Sequence, residues 1–90
     1  MNMRETIGKE VSVVMIFSAK SRLALPHIIR WQNHDYKVGK IGYHHSIKQG
    51  LTVHHIFELI DDTRSLWFRL DFNTSNLHWK LDAVSDGQPG

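Results

Sequence analysis

Histidine is the residue type in this 90-residue chain with most capacity for chemistry. There are seven, and four form two adjacent pairs, His44–His45 and His54–His55. Imidazole binds divalent metals and exchanges protons near neutral pH, so seven of them make the chain more positive as pH falls through about 6.5. If the two pairs lie on neighbouring strands of a hairpin, His44 faces His54 on one side, and His45 and His55 point to the other side, near the core. Two facing histidines could begin a zinc site, but a structural site takes about four ligands and a catalytic one about three. Glu58 and His78 fall on the same face without being directed at that pair. Hydrogen-bonded or solvated histidines are the plainer expectation, and no cofactor is predicted.

Catalysis asks for a nucleophile, a base and an orienting group in one cleft. Serines, histidines and aspartates are present, but in no recognisable catalytic arrangement, and there is no glycine-rich phosphate loop. Asp61 and Asp62 are adjacent carboxylates, yet in the stretch DDT they suit a turn whose side chains bond the backbone. With no cysteine, thiolate nucleophiles, disulfides and cysteine-type zinc sites are excluded together. The expectation is a protein that is not an enzyme and works by binding.

Ninety residues make one domain with one core. Hydrophobic residues at 41% and charged residues at 22% are ordinary globular values, against a disordered or membrane chain. A domain this small without disulfides suits a reducing compartment, so a cytoplasmic location is expected. The longest apolar run, residues 11–17, is too short to span a bilayer, and no small-residue cleavage region follows it. It reads as a strand over 10–18, rich in β-branched residues.

The segment around which the chain is organised is Pro26 to Val38. Trp31 and Tyr36 flank a polar turn, and with Asn33 and His34 as its central residues the two rings stand directly opposite. Proline belongs at the start of that strand because it has no N–H for a ladder. Further on, Tyr36, Val38, Ile41 and Tyr43 alternate with one skip, which a β-bulge at Gly39 repairs. A loop at Lys48, Gln49 and Gly50 then pairs Ile41 with Phe57 and Tyr43 with His55. Turns at 61–64 and 73–76 pair Phe57 with Phe68 and Leu70 with Trp79. A helical spacing of Val53, Ile56, Phe57 and Ile60 competes, but the β-branched content and the hairpins on both sides favour a strand. The predicted fold is all-β: a curled antiparallel meander of five or six strands that can close in part into a small barrel. It occupies residues 10–84, between a frayed segment at 1–9 and a disordered tail at 85–90.

The outward face of the last strands then shows Trp67, Ile56 and Ile60 among charged residues. An aromatic and two aliphatics there suggest a contact with a protein partner or a second copy of the chain, unless the first strand packs over them. The alternative is a nucleic-acid accessory domain, in which Arg30, Lys37, Lys40 and Arg69 surround aromatics able to stack bases. Its cost is that Trp31, Tyr36 and Tyr43 are read as core. A formal charge of +2 gives it little support. No membrane association is expected.

The succession Pro26, Ile29, Trp31, Tyr36 and Val38, then Phe57 and Leu59, Asp61–Asp62, and a closing Trp79 and Leu81, resembles a small bacterial all-β domain of unknown function. The resemblance covers residues 10–84 and implies the same sheet. It brings no established activity. The chain departs from that pattern in the first turn, where Gln32, Asn33, His34 and Asp35 stand in place of a glycine and several arginines.

Overall fold

The computed structural model describes residues 5–20 and 22–86. They form six antiparallel strands, β1 (Glu5–Ser18), β2 (Leu23–Trp31), β3 (His34–Gln49), β4 (Thr52–Asp61), β5 (Trp67–Asn73) and β6 (His78–Ser85), closed into a barrel in chain order. The predicted fold class holds and its barrel is closed. The first strand starts at Glu5, which corrects the frayed segment expected over residues 5–9. Likewise β6 includes Ser85, placed by the sequence in the tail. Residues 1–4 and 87–90 lie outside the described residues.

Two long strands hold the barrel together by changing partner midway. Glu5 to Val11 of β1 pair with β6, and Ser12 to Ser18 pair with β2. His34 to Lys37 of β3 pair with β2, and Val38 to Gln49 pair with β4. Each is thus shared between a five-stranded and a three-stranded sheet. The first strand is a stave of the barrel and does not lie over the face that carries Trp67.

Alternation decides what fills the interior. Ile29, Phe57, Leu59, Phe68, Leu70, Phe72, Trp79, Leu81 and Val84 make one buried cluster, with Ile7, Val11, Val13, Trp31 and Tyr36 packed on it. The rings interlock: Trp79 stacks on Phe72 at 4.5 Å between centroids, and Trp31 meets the edge of Phe68 at 6.3 Å. Such ring pairs add about 0.5–1.5 kcal/mol beyond the area they bury.

Turn chemistry fixes a register that differs from the predicted one. Gln32 and Asn33 are the central residues of the first hairpin, both at positive φ (52° and 63°). Trp31 therefore faces His34 and Ile29 faces Tyr36, so the Trp31 and Tyr36 rings meet diagonally at 6.4 Å. Gly50 and Leu51 form a two-residue turn with Gly50 at φ 61°, as a type II′ turn requires, where three residues were expected. Leu59 faces Phe68, and Leu70 faces Leu81. At these pairs both ladders are displaced by two residues from the expected ones, so the side chains keep their face, and a register shift between Arg69 and Leu70 then sets Phe68 opposite Val84 where Leu81 was expected.

The bulge at Gly39 is present, as a register shift between Val38 and Lys40. A Cβ at Gly39 would lie 2.7 Å from the Asp62 Cα and 2.8 Å from the Asp61 carbonyl oxygen. Only glycine lets β3 cross the β4–β5 turn so closely. The Asp62 N–H donates to the Lys37 carbonyl at 2.8 Å across the same crossing. Asp61 organises that turn: its buried carboxylate accepts the N–H groups of Ser65 and Leu66 at 2.8 and 2.9 Å and the Thr63 hydroxyl. Burial alone would raise its pKa, but the donors at Leu66, Thr63 and Ser65 outweigh it and hold the carboxyl below the ordinary value.

Gly39→Ala is expected to lose about 2 kcal/mol or more, because the obstructing atoms are backbone. Asp61→Ala is expected to lose about 1.5–3 kcal/mol at neutral pH. Below the usual carboxylate range the Asp61 contribution fades as the folded form is protonated, and the difference between wild type and variant narrows. Trp79→Ala is expected to lose about 3–5 kcal/mol, a large part of what a domain this size has. Urea unfolding of the three variants at neutral and acid pH checks all of these values.

Candidate functional site

A second register shift, between Ile41 and Tyr43, falls at Gly42 and turns the following residues over. Tyr43 and His45 now share the outer face with Glu58 and Ile56, and His44 lies opposite Phe57 on the inner side. This corrects three expectations, the first being that His45 points toward the core. Tyr43 is exposed and not core, and His44 does not face His54, whose partner in the ladder is Ile47. His44 instead stacks on Phe57 at 4.5 Å between centroids, and its Nε2 lies 2.9 Å from His55 Nδ1. His54 Nδ1 bonds the Asp71 carboxylate at 2.7 Å, and His78 Nδ1 bonds Glu10 at 2.8 Å. Each of these four histidines is turned to its own partner. Among the described residues no group of three or more histidine or acidic side chains is placed to hold an ion.

The outer face proposed for partner binding divides in two. Ile56 is 3% exposed, which corrects its expected place on an open surface. It sits between His45 and Asp71 in the ladders, with the His54–Asp71 pair on one side and the Arg69–Glu58 pair (3.3 Å) on the other. Polar side chains laid across the sheet cover it. Ile60 and Trp67 are half-buried and line an open groove with Lys40, Gly42, Tyr43 and Glu58. The three apolar residues therefore do not make one patch.

Of the four basic residues, two are matched to carboxylates. Arg30 bonds Asp35 at 3.0 Å, and Arg69 lies between Glu58 and Asp82, at 3.3 and 3.9 Å. Burial, then the neighbouring Asp71, raises the Asp82 pKa against the pull of Arg69. Lys37 and Lys40 are exposed, but Trp31 and Tyr36 lie against the core and are not offered beside them.

The most exposed apolar surface of the sheet lies elsewhere. Val14, Met15, Ile16 and Phe17 are 54%, 36%, 52% and 64% exposed. They occupy the half of β1 beyond the end of its ladder with β6, where it pairs with β2 alone. Together with Leu23 to Pro26 they form a two-stranded arm. The sequence reads the run 11–17 as a strand with both faces partly covered. Its signal was present as four consecutive apolar residues, since a stave with one wet face would have alternated.

The His44–His55 contact needs an N–H on one ring and a lone pair on the other, so a proton placed on both facing nitrogens breaks it. Burial, then repulsion from His55 and His45, lowers the His44 pKa below the ordinary 6.5. The unfolded chain thus takes up a proton before the folded one does. Stability is expected to be level above about pH 7 and to fall as pH drops from 6.5 toward the lower folded value. In His44→Phe, which keeps the stack on Phe57, this acid-dependent loss should shrink; equal slopes in urea titrations at pH 7.5 and 5.5 would overturn the assignment. In comparisons with known proteins the chain matches no family model, no curated protein and no solved structure.

Proposed function

We propose that this domain is a non-enzymatic module that binds protein, with the β1–β2 arm as its contact surface. The observation that carries this reading is the exposure of four consecutive apolar side chains, Val14 to Phe17, on a strand half that is laddered by β2 alone. Consecutive strand residues alternate faces, so Val14 and Ile16 open one side of the arm and Met15 and Phe17 the other, and apolar exposure on both sides of one strand supports a contact there. A strand edge adds direction to it, because a partner strand can take up its backbone donors and acceptors. The groove at Trp67 and Ile60 is a second, lesser contact on the far sheet, and Ile56 has no part in it. Catalysis has less support, since four of the seven histidines are engaged pairwise, His44 with His55, His54 with Asp71 and His78 with Glu10. Nucleic-acid binding has less support for the same kind of reason: two of its four basic residues are matched to carboxylates. A chain without cysteine suits the cytoplasm as the place of action.

A photo-crosslinking aromatic amino acid placed at Phe17 and, separately, at Thr63 on the remote β4–β5 turn tests this reading in living cells. Residue 17 is expected to give protein adducts that residue 63 does not give, and Val14→Lys in the same chain is expected to abolish them. Adduct yields at residue 17 no higher than at residue 63 would overturn it.

A further inference from the structure

We propose that the polar cleft on the outer face of β4, β5, β6 and β1 is a binding site for one uncharged polyhydroxylated ring, a monosaccharide or cyclitol unit. It uses no residue of the β1–β2 arm and does not depend on the arm's role. Its floor is two rows of side chains set by the ladders. His54, Asn73 and His78 are successive cross-strand partners on β4, β5 and β6, and Asp71, Lys80 and Glu10 are successive partners on β5, β6 and β1. The rows lie two residues apart along β5 and β6, so their side chains share one face. Asn76 of the β5–β6 turn closes one end, and the cleft has a volume of about 160 Å³. Sites for drug-sized ligands hold roughly 300–1,000 Å³, so this one admits a single small ring.

What these side chains still offer follows from the bonds they already make. Asn73 Oδ1 accepts the Ser75 N–H at 2.8 Å, and Asn76 Oδ1 accepts the His78 N–H at 2.9 Å. Each carboxamide thereby keeps its NH2 donors for the cleft. His54 Nδ1 is 2.7 Å from Asp71, and His78 Nδ1 is 2.8 Å from Glu10. An ionised carboxylate only accepts, so each Nδ1 carries the hydrogen and each neutral ring keeps a lone pair on Nε2. Lys80 stands between Glu10 and Asp71 in the ladders and adds an ammonium. The lining therefore mixes donors (two NH2 groups and an ammonium) with acceptors, namely two imidazole lone pairs and the second oxygens of two carboxylates.

That mixture selects the ligand. An anion carries only acceptors and would face Glu10 and Asp71. A cation would face Lys80 and the two NH2 groups, and among the described residues no three ligating side chains converge on an ion. A hydroxyl donates once and accepts twice. Neighbouring hydroxyls on one ring can give their hydrogens to a carboxylate or an imidazole while accepting from a carboxamide or from Lys80. Hydrogen bonds to the charged members are roughly twice as strong as neutral ones. His54, His78, Asn73 and Asn76 are already held by the bonds above, so little side-chain freedom is lost when a ring enters.

Amide chemical shifts of the full chain, titrated separately with glucose, galactose, mannose, myo-inositol and inorganic phosphate, test the proposal. At least one of the four polyols is expected to give saturable shifts centred on His54, Asp71, Asn73 and His78, with a dissociation constant of about a millimolar. Asn76→Asp keeps the oxygen that accepts the His78 N–H and removes the NH2 donors, and Lys80→Met removes the ammonium. Each is expected to weaken binding about tenfold or more with an unchanged circular dichroism spectrum. Lys40→Met, in the groove at Trp67, is expected to leave binding as it is. The proposal is overturned by the absence of a saturable shift with any of the four polyols, by shifts that survive both Asn76→Asp and Lys80→Met, or by saturation with phosphate alone.

Discussion

The close passage of Gly39 over the Asp61–Asp62 turn is the constraint on which the rest of this barrel depends. There β3 leaves β2 and joins β4. The Lys37 carbonyl, on the side of β3 turned away from β2, accepts the N–H of Asp62 at 2.8 Å and ties the turn to β3 at the crossing. From that point β2 and β3 separate, and Leu23 to His27 are paired, where they are paired at all, with β1. Pro26 falls within this part of β2, where its missing N–H costs nothing on the side facing β3. The arm at one end of the molecule is thus a consequence of a glycine contact made at the start of the β4 ladder.

Asp61 makes that passage possible from the other side. A turn that another strand must cross cannot shift, and Asp61 holds it by accepting donors from three residues of the same loop. Glycine at 39 and aspartate at 61 are therefore a single device: one removes a side chain from the crossing, and the other fixes the backbone that is crossed. The interior aromatics then pack around a frame already closed, which is why one cluster joins Ile29 on β2 to Phe68 on β5 and Leu81 on β6.

How far the sequence can be read follows from the period of two. Phe57, Leu59, Phe68, Leu70, Phe72, Trp79 and Leu81 were legible as core, because a ladder that slips by two residues leaves each of them inside. The pairs themselves were not legible, since the turns at 50–51 and 74–77 can close on different residues without changing any face. An odd displacement is what alters chemistry. Gly42 supplies one, and it carries Tyr43 outward and His44 inward, exchanging the members of the expected His44–His54 pair for His44–His55. A second glycine three residues after a first gave no sign that it too marks a bulge. Ile56 was misread for another reason: its strand position is on the outer face, as expected, but coverage there comes from the side chains of its neighbours, which alternation does not describe.

Apolar composition also says nothing about whether a strand has a second neighbour. Val11 to Phe17 looks like the best-buried strand of the chain, and half of it is the most exposed apolar surface of the sheet. A two-stranded ribbon with open faces is marginal by itself in water, and needs a third strand or a packed face for independent stability. The arm is backed by its own chain through β2, where Leu25 packs on the core and Pro26 is buried, while Val14 to Phe17 of β1 stay open. Its β2 half therefore contributes burial to the fold, and its β1 half contributes little. Beyond Val11 the β1 edge has no further ladder with β6, and Phe17 stays 64% exposed. Four consecutive apolar residues left that open are the part of this segment's sequence that burial within the fold does not account for.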